Sequence, residues 1–242
     1  MTEVHCDGSQ TCDARIREAI QNYASWVRES TGQGGLSLTL IGRVLSGGFQ
    51  PNTHNVQSVL VLDRIDFVVM ARLAEQGPRY GKTGIAAPLL MTPKHIETSL
   101  DSFPLELLEI QQRHSTLWGE DPFGSLTFDA THVRLECERE LKRFLIGLRQ
   151  GVLSAAGRAS AMDAVVRDIG EGILRACRGL LWIKGATGFE PDDKVVGKLE
   201  TIIGRSFPSL CIVAASGSIS SMKDVESLYR EIEHLKEVVD AR

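Results

Sequence analysis

Leu36-Ser37-Leu38-Thr39-Leu40-Ile41-Gly42 and Asn55-Val56-Gln57-Ser58-Val59-Leu60-Val61-Leu62 are two apolar runs joined by a glycine-containing stretch, Arg43 to His54. Their length, their branched residues and the Gly, Pro and Asn between them predict two strands. Ser46-Gly47-Gly48 supplies the backbone freedom for a tight turn. Residues two apart on a strand share a face, so Asn55 and Gln57 project together where the second run opens. Both side chains at 55 and 57 are neutral amides, and moving the alignment by one residue brings His54 and Val56 there instead.

Outward from this pair, Asp13 to Thr31 reads as an amphipathic helix, with Ile16, Ile20, Tyr23 and Val27 at helical spacing and Gly32, Gly34 and Gly35 ending it. Ile65, Val68, Val69 and Leu73 predict a helix over 65–76, capped by Asp63 or Asp66. Ile85 to Met91 is a short apolar strand. Thr92-Pro93 opens a helix with Thr as N-cap and Pro at its first position. Leu105 to Gln111 alternates as a further strand carrying Glu109. This order predicts an α+β domain with a small mixed sheet flanked by helices.

From Thr131 the period changes. Val133, Cys137, Leu141, Phe144, Leu145, Leu148 and Val152 make one helical stripe, and Val165, Val166, Ile169, Ile173, Leu174, Cys177 and Leu181 a second. A last helix starts at Ser220 or Ser221, with Ser221 and Asp224 spaced as a capping box, and carries Val225, Leu228, Tyr229, Ile232, Leu235 and Val239. These stripes are bundle core. Gly185 to Pro191 and Gly204 to Pro208 are loops, and Ser209 to Ser221 is open to a short strand or an irregular link. The expected division is residues 1–130 as the α/β domain and 131–242 as a helical bundle.

A chain of 242 residues, 43% hydrophobic and 24% charged, has the composition of a soluble globular protein. Its net charge of −4 runs against a general nucleic-acid surface. No apolar run is long enough to span a bilayer, and the N-terminus lacks a signal-peptide pattern, which points to the cytoplasm. Cys6, Cys12, Cys137, Cys177 and Cys211 contain no Cys-x-x-Cys pair and read as reduced thiols. Cys137 and Cys177 fall on apolar helical faces as small core residues, and His5, Cys6 and Cys12 read as an incidental tail.

The stretch Leu40 to Val61 resembles the nucleotidyltransferase superfamily of polymerase-beta type: an apolar strand, Gly-Ser, a glycine loop, then Asp-x-Asp on the next strand. Gly42 matches the glycine, Arg43 replaces the serine, and Asn55 and Gln57 fall on the two aspartates. Pro104 to Ile110 is similar to the strand that bears the third carboxylate, with Glu109 as the match. Arg113 to Asp121 and Arg134 to Leu141 are similar to a little-characterised bacterial branch with a helical C-terminal half. The likeness covers residues 36 to 155. In such enzymes two Mg²⁺ ions clamp the triphosphate, and hard divalent ions require charged oxygen ligands. Asn and Gln offer only neutral carbonyl oxygens. The resemblance therefore implies a pseudoenzyme without metal or other cofactor. Gly42, Arg43, Asn55 and Gln57 would face a nucleotide such as ATP or GTP, and the helical half would meet a protein partner. The alternative is an active enzyme in which Glu109 and another acid rebuild a Mg²⁺ site and a nucleoside monophosphate passes to a small-molecule or protein acceptor.

Other signals read as structural. Gly77-Pro78-Arg79-Tyr80-Gly81-Lys82-Thr83 has three residues between its glycines where a phosphate loop needs four, and is a basic turn. His114 is expected to hydrogen-bond locally rather than act as a base. Arg134, Lys142 and Arg149 share a helical face, with Glu138 placed to pair with Lys142. Gly147 and Gly151 suit close helix packing.

Overall fold

The computed structural model describes residues 14–45, 49–51, 53–156, 158–216, 219 and 221–241. The Ser46-Gly47-Gly48 turn and His5, Cys6 and Cys12 lie outside them. The chain divides into two compact units, Met1–Leu100 with Ile110–Thr127, and Asp101–Glu109 with Phe128–Arg242.

In the first unit, α1 (Ala14–Thr31) leads into β1 (Gly35–Ile41), a 3₁₀ turn over Gly42–Leu45, then β2 (Gln57–Leu62), α2 (Phe67–Gly81), β3 (Leu89–Met91) and α3 (Pro93–Thr98). After α4 (Pro104–Gln112) comes β4 (His114–Gly119). The sheet order is β3-β2-β1-β4, with β1 antiparallel to both β2 and β4 and β2 parallel to β3, so the sheet is mixed. Leu38, Leu40, Leu60 and Leu62 on one sheet face and Ile20, Tyr23, Ala24 and Val27 on α1 form its core. Tyr23 reaches across that core to Ser58 at 3.3 Å, and burial pushes its phenol up to about 12. The predicted caps are in place: Asp66 accepts from the Val68 N–H at 2.7 Å and Thr92 from the His95 N–H at 3.1 Å.

Three readings of this half are corrected. Leu105 to Gln111 is helical, as part of α4. Leu105, Leu107, Leu108 and Ile110 are all buried, and a segment apolar on most sides carries no period by which helix and strand can be told apart. Gly77 to Gly81 is no turn: α2 runs through it with Pro78 inside. The apolar run at 85–91 pairs only at Leu89–Met91, with Ile85 in a lone parallel bridge to Val56.

In the second unit, α5 (Ala130–Ala155), α6 (Ala159–Ile183) and α9 (Met222–Asp240) carry the three expected stripes. Val133, Cys137, Leu141, Phe144 and Leu148 of α5 pack with Ile173, Leu174 and Cys177 of α6 and with Leu228, Ile232 and Leu235 of α9. Burial pushes the Cys177 thiol up to about 12 and that of Cys137 higher still. Ser221 caps α9, accepting from the Asp224 N–H at 3.1 Å. Two further helices, α7 (Asp192–Ile203) and α8 (Pro208–Ser216), complete the unit. The alternatives weighed for Ser209 to Ser221 were a strand or an irregular link, and through Ser216 it is helix instead. No helix among the described residues is long and apolar enough to cross a membrane.

Candidate functional site

The sheet register assembles the candidate site within the first unit. Ile41, the last residue of β1, stands opposite Gln57 of β2 on one side and His114 of β4 on the other. Directly opposed residues share a face, so Gln57 and His114 flank Ile41, about 10 Å apart for strands spaced at ~4.8 Å. Asn55 and Gln57 are exposed whereas Val56 and Ser58 are buried, which is the expected alternation. Val56 keeps the backbone extended before β2 begins: its N–H donates to the Gly84 carbonyl at 2.7 Å, and its carbonyl accepts from the Ala86 N–H at 3.0 Å.

Gly42 turns the chain away from β1 with φ of +75°. A Cβ there would lie 2.6 Å from Gln57 Oε1, so the amide of Gln57 covers the glycine. Arg43 follows on the same half-buried 3₁₀ turn. On the approach to β2, the Gln50 carbonyl accepts from the N–H groups of Thr53 and His54 at 3.0 and 2.8 Å, and the Gln50 N–H donates to His54 Nδ1 at 3.0 Å. A neutral His54 ring then carries its proton on Nε2.

His114 is held from both sides. Its Nδ1 lies 2.9 Å from the Ile110 carbonyl and 3.1 Å from that of Gln111, and its Nε2 lies 3.0 Å from the Asp121 carboxylate. Asp121 also accepts from the backbone N–H groups of Phe123 and Gly124 at 2.9 and 3.2 Å. Partial burial opposes ionisation of Asp121, but the hydrogen bonds and the neighbouring imidazole together hold its carboxyl below the usual aspartate value. His114 therefore plays the local hydrogen-bonding role read from the sequence, with both ring nitrogens engaged.

Glu109 belongs to α4 in the second unit. One oxygen accepts from Arg175 Nε at 2.9 Å and the other from Arg178 Nη1 at 3.2 Å. Arg178, 6% exposed, also bonds Asp192 and the Glu190 carbonyl and stacks over Phe189 at 4.5 Å. Arg175 bonds Glu106 at 3.0 Å as well. Glu109 is thus a structural acid joining α4 to α6.

The segment Leu36 to Leu62 contains no Asp or Glu, and no group of three His, Cys, Asp or Glu side chains among the described residues is placed to hold an ion. Of the four residues read as the site, Gly42 and Gln57 meet directly, Arg43 follows Gly42 in the chain, and Asn55 is exposed two residues before Gln57. Sequence reading weighed His114 but did not place it on a strand beside Ile41, although the run His114-Ser115-Thr116-Leu117-Trp118 has the β-type residues that could have revealed β4.

The mixed sheet with its flanking helices and following bundle is a nucleotidyltransferase-like fold. The chain matches the crystal structure of a spectinomycin adenyltransferase, AAD(9), from Enterococcus faecialis with ATP and spectinomycin, with a TM-score of 0.57 over 93% of this chain and 99% of that one, at 11% sequence identity. No known family profile and no curated protein matches the sequence.

Proposed function

We propose that the chain is a catalytically silent nucleotidyltransferase-like protein, a pseudoenzyme whose sheet-end site takes a nucleotide such as ATP or GTP without metal and serves a regulatory role. The observation that carries this reading is the pair of exposed amides at 55 and 57, with Gln57 covering Gly42. An amide offers a carbonyl oxygen and two N–H donors but no charge, so it suits hydrogen bonding to base, sugar or phosphate and not the seating of Mg²⁺. Arg43 stands where the resembling enzymes have a phosphate-contacting serine, and a guanidinium recognises phosphate directly. The solved neighbour was captured with ATP, which supports a nucleotide as the ligand class.

The enzyme alternative asks Glu109 to help rebuild a metal site. Its two oxygens are engaged by Arg175 and Arg178 instead. Calorimetric titration of the full chain with ATP and GTP, in EDTA and in Mg²⁺, tests the proposal. The expected result is binding of the same affinity in both media, made Mg²⁺-dependent by the double change Asn55→Asp and Gln57→Asp. Tight binding by the native chain that requires Mg²⁺, or nucleotidyl transfer to any acceptor, overturns it.

A further inference from the structure

We propose that the groove between α5 and α9 binds a small amphipathic acid, an apolar body of medium length ending in one carboxylate. The groove lies wholly within the second unit and has a volume of about 460 Å³, within the range of small-molecule sites. Its floor is Leu148, Val152, Val225 and Tyr229, and its lip includes Leu153 and Met222, 76% and 48% exposed. On α9 the lining runs from Met222 to Arg230, a length of about 12 Å at 1.5 Å per residue, which suits a medium acyl chain or an alkyl-substituted ring.

The charges at the rim decide the head group. Lys142 of α5 lies within the field of Asp240 at the end of α9, while Leu148 to Leu153 meet Met222 to Arg230, so the two helices run antiparallel. The first lining residues of α5 therefore stand opposite the last of α9, which brings Arg149 and Arg230 to one end. Neighbouring cations on α5 are matched by acids of their own helix: Arg139 by Glu136, Lys142 by Glu138 and Arg143 by Glu140. Arg149 has no such partner among the described residues. Its Nε donates to the Leu145 carbonyl at 3.2 Å, which anchors the side chain and leaves both Nη groups for a carboxylate. Arg230 is bound on one side by Glu233 at 3.0 Å. Glu226 lines the groove one helical turn from Arg230, toward Met222, and repels an anion there. The head group thus belongs at the Arg149 end and the apolar tail toward Met222 and Leu153.

The test is titration of the full chain with decanoate, decanol and decyltrimethylammonium, each below its micelle-forming concentration and followed by NMR. Decanoate is expected to saturate one site per chain, with decanol roughly tenfold weaker and the cation weaker again. Arg149→Met is expected to lower decanoate affinity about tenfold while leaving decanol within about twofold. Val152→Trp, which fills the groove, is expected to abolish both. Should that variant fail to fold, the exposed Arg149→Met still decides. Equal binding of the three probes, decanoate binding unchanged in Arg149→Met, or no saturable binding overturns the proposal.

Discussion

At Gly42 the backbone adopts φ of +75° beneath the Gln57 amide, so two separate costs meet any side chain placed there. The left-handed conformation costs an L-residue about 1–2 kcal/mol, and a Cβ 2.6 Å from Oε1 must displace Gln57. Gly42→Ala is therefore expected to lower stability by about 1–2 kcal/mol or slightly more in urea denaturation. Adding Gln57→Ser should recover only the steric part. This glycine was legible in the sequence because it closes an apolar run, whereas its contact with Gln57 was not, since the fourteen residues between them, Arg43 to Val56, carry no periodicity to fix the return path. Asp121 gives a pH test at the same scale. Its carboxyl sits below the usual aspartate value through the bonds from His114, Phe123 and Gly124, against the opposing effect of burial. A lowered folded pKa contributes stability that is complete above the unfolded value of about 3.9 and is lost as pH falls through the folded value. Asp121→Asn should thus weaken the protein at pH 6 and flatten its loss of stability below about pH 4, as read from urea midpoints across a pH series.

Among the elements, α8 shows most clearly what a helix needs beyond its own sequence. Pro208 to Ser216 is short and apolar nearly all round, so it presents neither a stripe nor a capping residue, and its helical state rests on tertiary partners. Glu231 of α9, 5% exposed, supplies the cap by accepting from the N–H groups of Ser209 and Leu210 at 3.0 and 2.9 Å and from the Ser227 hydroxyl at 3.3 Å. Glu231 lies three residues from Leu228 and four from Leu235, on the apolar face of α9, and the stripe by itself gives no reason to bury an acid there. Glu231→Ala strands two buried donors and is expected to cost about 3 kcal/mol. Glu231→Gln keeps one acceptor oxygen and should cost roughly half as much. Equilibrium denaturation of the two variants distinguishes this cap from an incidental contact, for which both would lie within about 0.5 kcal/mol of the native chain. The long stripes of α5, α6 and α9 were legible because each repeats over several turns. The misreading of α4 has the opposite cause, a nine-residue segment buried on most of its surface.

At the scale of the whole chain, two cores are separately assembled: Leu38, Leu40 and Leu60 with α1 in the first unit, and α5, α6 and α9 in the second. The second core also holds Leu105 and Leu108 from α4, twenty or more residues ahead of the helices they pack with. That excursion was illegible in the sequence because a change of period near Thr131 marks where the long helices begin, not which earlier segment joins them. It has a measurable consequence for fragments. A fragment of residues 128–242 lacks both leucines, whose burial is worth about 1.5–3 kcal/mol each. It also lacks Glu106 and Glu109, leaving the nearly buried Arg178 without one of its carboxylates and Arg175 without both. Breaking a buried ion pair by removing one partner costs about 3–5 kcal/mol. Together these losses rival the ~5–15 kcal/mol that holds a domain folded. Residues 101–242 should therefore unfold cooperatively by circular dichroism, with the 110–127 stretch an unpaired insertion, while residues 128–242 should show no cooperative transition. If the shorter fragment melts as sharply and at the same temperature as the longer one, α4 contributes nothing essential to the helical unit, and the Glu109–Arg178 link is dispensable.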